Sequence, residues 1–573
     1  MLPIQKHWVI PDRIPQEADE SLAQFPELLR QILFVRGYST REAIEDYLFA
    51  RTAHDTDPFK ISGVPEAASR IAWAIARGQK IAIYGDYDVD GVTATALLFE
   101  VVNSLGGEAV GYIPNRFDEG YGLNIDAIDQ LKAQGVDLVV TVDCGIRSIA
   151  EAEHARQLGL DLIISDHHHP GKELPAATAI INPKQENDTY PDKNLSGVGL
   201  GYKLAQALLD EKEVSRKALG RTITTSDLLD LVALGTVADL APLVGENRAL
   251  VRAGLIVIRS PQRQGLLSLI GAAGLSSREI TAENIGYVLG PRLNAAGRLE
   301  SARAAFELLT TKDISRAGTL AQQLETQNRE RQRLTKEIQE AAETLAFTED
   351  PEALLLFAAH PDFNAGVVGL AASRLSEKYY RPAIVAQMGA QFTRGSCRSI
   401  PEFHITEALD MCQDLLTHHG GHAAAAGFTV KNENLDKLVE RLKAIAEEKL
   451  KREDLTPMMT ADAEIPLSQL TPDLLPYLEL LEPTGVENPK AVFVSRDLRI
   501  VHARPVGKDE AHLKLALTDG WITYDAIAFR MGHWWRNLPP AVDVMYTYEV
   551  NEYNGRKTLQ LNVRDLKPAG KPD

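Results

Sequence analysis

Lys80-Ile-Ala-Ile-Tyr-Gly-Asp-Tyr-Asp-Val-Asp-Gly91 sets a short apolar run directly against three aspartates, Asp86, Asp88 and Asp90, spaced two residues apart. The run 80–84 has the length and composition of a buried strand, and Thr93–Leu105 after it has helical apolar spacing. Gly91 lets the backbone turn sharply between the two. Three carboxylates this close repel one another unless a cation sits among them. The pattern recurs downstream. Asp137-Leu-Val-Val-Thr-Val142 ends at Asp143-Cys144-Gly145, Asp161-Leu-Ile-Ile-Ser165 ends at Asp166-His167-His168-His169, and Leu231–Ala238 ends at Asp239. Carboxylates and imidazoles at the ends of buried runs are the groups needed to hold two divalent metals over a phosphate, so the chemistry indicated is phosphoester hydrolysis.

Strand-like runs at 80–84, 108–113, 137–142, 161–165 and 178–182 alternate with helical patterns at Thr93–Leu105, Ile125–Gln134 and Ser148–Leu158. This alternation predicts a mostly parallel sheet covered on both faces. Ligands bind such sheets beyond the carboxyl ends of the strands, which puts Asp86, Asp143 and Asp166 on one edge. Asp86-x-Asp88-x-Asp90-Gly91 also looks like the opening of an EF-hand calcium loop. That loop needs a bidentate Glu at its twelfth position, which is Leu97 here, and a preceding helix where 81–84 is strand-like, so calcium storage is excluded. In Asp166-His-His-His169, imidazole beside carboxylate suits manganese, magnesium with less preference, or zinc. One His can coordinate metal while its neighbour contacts a phosphate oxygen, and Asp166 can orient a ring from behind. Taken alone, Asp143 and Asp239 each read as a helix cap or loop acid, and only their place after apolar runs brings them into the set.

A chain of 573 residues is too long for one core and implies three or four units. Composition is that of an ordinary soluble protein, 45% hydrophobic and 24% charged. Met1–Trp8 has no apolar signal region, and Pro11, Asp12 and Arg13 follow at once, so no secretory leader is expected. No apolar run approaches the roughly 18 residues that span a bilayer. Cys144, Cys397 and Cys412 form no CxxC pair and are odd in number, which fits free thiols in a reducing cytoplasm. The net charge of -18 argues against broad coating of duplex nucleic acid, though a locally basic channel remains compatible with it.

The organisation expected is a helical N-terminal region, 1–60, packing on a catalytic core, 61–312. Glu27–Leu33 and Ser39–Phe49 are its helical patterns, with Ser39 or Thr40 capping the second. A long charged helix, 313–350, follows as a spacer; its stretch Asp313–Phe347 alone would span on the order of 50 Å. Residues 351–455 read as a second α/β unit, with strands Leu354–Ala359 and Ala383–Ala386 and helices Gly366–Tyr379, Thr406–Leu416 and Asn434–Lys449. Residues 456–573 switch to short β runs, with Asn554-Gly555 as a hairpin turn, and suggest a small barrel such as an OB-fold.

Gly85-Asp-Tyr-Asp-Val-Asp-Gly91, Val142-Asp-Cys-Gly145 and Asp166-His-His168 together resemble the signature motifs of the DHH phosphoesterase superfamily. Pro114–Phe117 with Glu119–Leu123, Ser196–Gly199, Leu234–Asp239, Gly290–Arg298, Gly395–Ser399 and His419–His422 narrow the resemblance to its family of bacterial exonucleases that degrade single-stranded DNA from the 5′ end. The resemblance implies an α/β multidomain fold: a DHH-type parallel-sheet catalytic core, a DHHA1-like second α/β domain joined by the long helix, and a C-terminal OB-like barrel. It also implies two divalent metal ions, Mn2+ or Mg2+, held by Asp88, Asp90, Asp143, His167 and Asp239, with Asp86 a further ligand or close support. His168 would contact the scissile phosphate, and nucleoside 5′-monophosphates would leave one at a time. Cys144 stands where an Asn is common in the family, and is expected to tune the site without abolishing it. The chain ends soon after the OB-like unit and is expected to lack the extra C-terminal domain of longer relatives.

For the DNA strand, the resemblance implies contacts at Arg116, Tyr121, Arg292, Asn294 and Arg298, and, in the second α/β unit, at Ser373, Arg374, Arg398, Ser399, Gly420, Gly421 and His422. Glycines let the backbone approach a nucleotide and arginines grip phosphate in bidentate fashion. Tyr546, Tyr548 and Tyr553 near Arg556 and Lys557 read as a stacking and charge set for single strands, with Trp534 and Trp535 as core or platform. The implied partners are single-stranded DNA with a 5′ end and, for repair and recombination, a single-strand-binding protein and a RecQ-type helicase. Two rivals stand beside this reading. One is a DHH-family phosphodiesterase acting on short oligonucleotides or cyclic dinucleotides, which would need neither barrel nor bridge. The other is a non-catalytic replication scaffold, which should have lost ligands that this chain retains.

Overall fold

The computed structural model describes residues 6–50, 56–116, 119–120, 122–210, 223–452, 455–553 and 556–570. Two compact units divide the chain: Thr40–Arg329 with Glu479–Lys490, and Met1–Ser39 with Glu330–Leu478 and Ala491–Asp573.

The first unit is built on five parallel strands, in the spatial order Glu108–Tyr112, Lys80–Gly85, Leu138–Val142, Asp161–Ser165, Ala179–Ile181. Side chains alternate between faces along each strand. Ile81, Ile83, Leu138 and Val140 enter a core with helices Val64–Ala76, Val89–Ser104 and Gly197–Asp210. Ala82, Tyr84, Val139 and Ile164 face the opposite way, onto helices Ile125–Ala133 and Ile149–Gln157. Burial on both faces explains why the strands read as continuous apolar runs. The chain leaves the 80–85 strand toward one side and returns at 138–142 on the other. The switch point of the sheet therefore lies between the two strands that end in Asp86 and Asp143, where such sheets bind ligands.

Leu97 is buried within helix Val89–Ser104, which fits the exclusion of a calcium loop. The run before Asp239 is a helix, Leu229–Ala238, with Asp239 as its C-cap rather than the end of a strand. Its mean hydropathy is high all round because it is buried all round. Arg248, 1% exposed, donates to the main-chain carbonyls of Tyr47, Leu480, Leu481, Glu482 and Pro483, which binds the 479–490 segment into this unit.

Among the described residues, the second unit holds two larger sheets and one two-stranded pair. One runs Leu416–Gly421, Ala425–Lys431, Phe392–Arg398, Ala383–Met388, Leu356–His360, with only the last pair parallel. The expected helix Thr406–Leu416 is shorter, Ile405–Asp410, and the Gly-, Ser- and His-rich motifs beyond it lie on strands. Their lack of branched residues hid this, since small residues carry little strand propensity. The other sheet closes into a barrel: Phe493–Val506, His512–Thr518, Thr523–Ala528, Arg556–Pro568 and Ala541–Tyr553, the last pairing back onto the first.

The expected N-terminal region 1–60 is divided between the two units at Ser39 and Thr40. Strand His7–Val9 pairs in parallel with Met458–Thr460, and Trp8 packs with Ala461, Val494 and Met545 of the barrel. Trp8 Nε1 donates to Asp565 at 2.8 Å, and Arg36 clamps Asp462 through Nε at 3.0 Å. Burying an indole with its N–H satisfied outweighs proximity in sequence. Helix Arg41–Phe49, capped by Thr40, goes with the catalytic unit. The long helix is Ile314–Glu349 and is no solvated spacer. Ala317, Leu320, Ala321 and Leu324 join the catalytic core, while Ile338, Ala342 and Ala346 join the core of the second α/β domain.

Candidate metal centre

Asp88 closes the loop after strand Lys80–Gly85 as the N-cap of helix Val89–Ser104, its Oδ1 accepting from Gly91 N at 3.1 Å. Asp90, on the first turn, is fully buried. Its two carboxylate oxygens accept the main-chain amides of Gly197 (2.6 Å) and Val198 (2.8 Å), at the start of helix Gly197–Asp210. That helix start is pinned in turn by Ser196 Oγ against Thr236 Oγ1, 2.8 Å apart. Glycine is required around this carboxylate: a Cβ on Gly197 would lie 2.8 Å from Asp90 Oδ2 and 2.6 Å from Asp143 Cβ, and one on Gly235 would lie 2.9 Å from Asp90 Oδ1. Asp143 follows strand Leu138–Val142 with φ of +60°, a conformation that costs energy for any residue but glycine and that aims its carboxylate inward.

Three groups of side chains converge within a few ångströms: Asp86, Asp88 and Asp143; Asp90, His167 and Asp239; and Asp143 with His167 and His168. Asp143 and His167 link them. His167 Nε2 lies 3.0 Å from Asp143 Oδ1, 3.8 Å from Asp239 Oδ2 and 3.9 Å from Asp90 Oδ2. Asp86 Oδ1, Asp143 Oδ1 and His167 Nε2 are buried and have no hydrogen-bond partner. Native interiors rarely leave such atoms unsatisfied, and a bound cation is one way to satisfy buried carboxylate and imidazole donors together. The residues present therefore fit divalent metal, with enough donors for two ions.

The electrostatics agree. Burial, and then repulsion from Asp88, pushes Asp90 up to about 7. Burial, then Asp90 and Asp88, pushes Asp239 up to about 9. Asp86 and Asp143 are driven well above the usual carboxylate range, first by burial and then by their acidic neighbours. Asp239 also caps a helix C-terminus, where the partial negative charge of the carbonyl ends adds to the demand for a cation. His167 moves the other way, down to about 3, because burial and the neighbouring His168 disfavour its charged form. Neutral imidazole is the ligating form.

His168 is set apart from these. Its Nδ1 lies 2.7 Å from Asp166 Oδ1, which also accepts the His168 amide at 3.0 Å, while Asp166 Oδ2 accepts Ile146 N. Burial opposes the charged imidazole, but the Asp166 hydrogen bond, with Asp88 and Asp90 nearby, holds His168 above its ordinary value. Asp166 is thus an orienting group behind the ring, and its own carboxyl is held low by His168 against the pull of burial.

The DNA-contact candidates divide. Arg116 stacks over the Tyr87 ring at 4.1 Å beside the acidic loop, and Asn294 and Arg298 are half-buried on helix Gly290–Leu299. Arg292 is committed elsewhere: Nε donates to Glu325 at 2.7 Å and Nη1 to Val288 O, locking the long helix. Tyr121 lies outside the described residues. Among the described residues before it, Glu119 accepts from Tyr112 Oη at 2.7 Å and Asn115 N at 3.0 Å.

In the second unit, Arg398 lies over Gly369, where a Cβ would come within 3.3 Å of its guanidinium, and Ser373 is one turn further along helix Val368–Tyr379 with Arg374 beside it. Burial pulls the Arg398 guanidinium below its ordinary value, and Ser399 Oγ donates to Phe403 O. Gly420, Gly421 and His422 are exposed at the end of strand Leu416–Gly421. In the barrel, the expected stacking residues Tyr546 and Tyr548 are buried, Tyr546 sharing a hydrogen bond with Ser495, so they are core. The side chains of Tyr553 and Arg556 lie outside the described residues. Trp535 is exposed, Trp534 half-buried, and Trp521, 93% exposed at a hairpin tip, went unremarked in the sequence.

An acid-rich centre at the switch point of a parallel sheet, with a His pair on the neighbouring strand end, defines a DHH-type phosphoesterase. The DHH family N-terminal domain profile matches residues 80–236, the DHHA1 domain residues 350–448 and the RecJ OB domain residues 461–565. The Bacillus subtilis single-stranded-DNA-specific exonuclease RecJ is 38% identical over 572 residues, covering 99% of this chain and 71% of that one. Crystal structures of Thermus thermophilus RecJ superpose with TM-scores of 0.84 for its Mn2+ complex, at 30% identity, and 0.78 for its Mg2+ complex, at 29%. Each match covers 99% of this chain, and they cover 80% and 79% of the Thermus chains. The chain belongs to the RecJ family.

Proposed function

We propose that this protein is a single-stranded-DNA-specific exonuclease that hydrolyses phosphodiester bonds from the 5′ end and releases nucleoside 5′-monophosphates. The observation that carries the reading is the pair of buried atoms Asp143 Oδ1 and His167 Nε2, 3.0 Å apart and neither with a hydrogen-bond partner, which together link the other two groups. Asp86, Asp88 and Asp143 form one ligand set and Asp90, His167 and Asp239 the other, with Asp143 and His167 together in a third group that links them. Two Mn2+ or Mg2+ ions, when bound, supply the charge that activates a water and stabilises the departing oxygen of an in-line displacement.

The chain's own residues do the rest. The Gly197 and Val198 amides fix both oxygens of Asp90, so that carboxylate costs no reorganisation when substrate arrives. Asp166 holds His168 through Nδ1, which orients the ring for contact with a phosphate oxygen. Arg116, Asn294 and Arg298 are DNA-contact residues of the catalytic domain, and Ser373, Arg374, Arg398, Ser399, Gly420, Gly421 and His422 those of the DHHA1 domain. The setting is DNA repair and recombination in the cytoplasm, with a single-strand-binding protein and a RecQ-type helicase as partners that present the strand. No helix among the described residues is long and apolar enough to cross a membrane.

Digestion of a 5′-labelled and a 3′-labelled single strand, a duplex and a dinucleotide, with Mn2+, tests polarity, product and substrate class together. Release of label from the 5′ end as mononucleotide is expected. Equal turnover of the dinucleotide would favour the short-oligonucleotide phosphodiesterase. Asp143→Ala should abolish hydrolysis while leaving DNA binding; nucleotide release near the wild-type rate would sink the site assignment.

A further inference from the structure

We propose that the turn Asn182-Pro183-Lys184 is a positioning element for the histidine pair, acting on its main chain rather than its rings. Strand Ala179–Ile181 pairs with Asp161–Ser165 so that Ser165 stands opposite Ile181, and Asp166 N donates to Ile181 O at 3.0 Å. The residues leaving the two strand ends therefore run side by side. Asn182, fully buried, donates from Nδ2 to His168 O at 2.8 Å. Lys184, half-buried, donates from Nζ to His167 O at 2.6 Å. Asn182 Oδ1 accepts Lys184 N at 2.8 Å, so the two donors brace each other.

The two carbonyls belong to consecutive peptide planes. Holding both fixes the directions in which the Cα–Cβ bonds of His167 and His168 leave the backbone. That is how one ring can face Asp90, Asp143 and Asp239 while its neighbour is turned to Asp166, with the ring centroids only 4.5 Å apart. Supports of this kind, one layer behind the ligands, typically change metal affinity by about 10–100-fold when removed.

The charge of Lys184 gives the test its sign. Its ammonium sits in the field of Asp239 and Asp166. Were it only a counter-charge to the acids, removing it would strengthen binding of another cation. As a positioning donor, its removal weakens cation binding instead. The proposal rests on the metal reading above, so the experiment carries a control for that reading.

Mn2+ binding to the full-length, metal-stripped protein is measured by calorimetry for wild type, Lys184→Met, Lys184→Arg, Asn182→Ala and His167→Ala, with thermal unfolding of each in chelator. Lys184→Met keeps the stem and deletes the donor. It is expected to bind Mn2+ about tenfold more weakly with the melting temperature unchanged, and Lys184→Arg is expected to retain affinity. Wild-type or tighter binding by Lys184→Met overturns the inference, whatever Asn182→Ala does to folding. If His167→Ala itself binds Mn2+ as wild type does, the metal assignment falls rather than the positioning role.

Discussion

Gly197→Ala should cripple the enzyme without unfolding it. Gly197 opens helix Gly197–Asp210, and its amide is one of the two that hold Asp90. A methyl group there would stand 2.6 Å from Asp143 Cβ, 2.8 Å from Asp90 Oδ2 and 3.0 Å from Asp143 Cγ, where ordinary contact begins at 3.4 Å. No flexible chain end lies in the way to yield cheaply. The helix start must back off by most of an ångström, losing the Asp90 amide bonds, or both carboxylates must move. Overpacking of this kind costs about 1–3 kcal/mol of stability, which a domain this size tolerates. Displacing reacting groups by about 1 Å costs on the order of 10²-fold in rate, or about 2.7 kcal/mol of barrier. Gly201→Ala, one turn along the same helix, is the control. Its methyl would meet only Ala94, at 3.8 Å, so it should gain about 0.5–1 kcal/mol from helix propensity and keep full activity. The assay is release of acid-soluble label from a single strand under saturating Mn2+, with a melt of each variant. Gly197→Ala turning over within twofold of wild type would refute the claim that these carboxylates are held in a rigid cradle.

Three further outcomes follow from the same geometry. Asp90 and Asp239 are raised to about 7 and about 9, so the folded, metal-free chain carries protons that an unfolded chain has lost above about pH 4. Their contribution to stability is thus fullest below that pH and falls as pH rises toward the folded values, and cation binding must expel these protons. Mn2+ affinity should therefore climb between about pH 6 and pH 8, with proton release visible as a dependence of binding enthalpy on buffer; a flat profile counts against the raised acids. Asp166→Asn, which takes the charge from behind His168, should lower turnover far more than Mn2+ affinity, because His167 rather than His168 faces Asp90 and Asp239; parallel losses in both would contradict that division. Arg248→Met strips buried donors from the carbonyls of Tyr47, Leu480 and Glu482, while Leu481 and Pro483 keep Asn488 Nδ2, and should cost about 3–5 kcal/mol in urea unfolding. A loss below about 1 kcal/mol would mean that water replaces the guanidinium there.

Much of the centre was legible because its acids lie next to the elements that carry them. Asp86, Asp88 and Asp90 follow one strand, Asp143 another and His167 a third, and short continuous apolar runs reveal such strands without any tertiary information. The parallel order follows from the strand and helix alternation. Asp239 was harder: its apolar run is buried on every side, and periodicity cannot distinguish a buried helix from a strand. The strands at 392–431 were missed because glycine, serine and histidine in the DHHA1-like motifs say little about strand pairing. Tyr546 and Tyr548 read as a stacking platform because aromatic alternation shows that one face is buried but not which one.

What the amino-acid order determined by itself is local: strand and helix periods, the caps, the long helix, and the residue types of a metal-assisted phosphoesterase. These depend on backbone geometry repeated over a few residues. Only the tertiary structure decided which groups meet. It put two amides from residues 197–198 on Asp90, placed Asp143 both with Asp86 and Asp88 and with the histidine pair, and brought Asn182 and Lys184 behind the histidines. It also paired the first strand, His7–Val9, with Met458–Thr460, about 450 residues away. Each of these is a contact between distant segments, selected by burial of the whole core and by the need to pair every buried polar atom, and no local pattern records that choice.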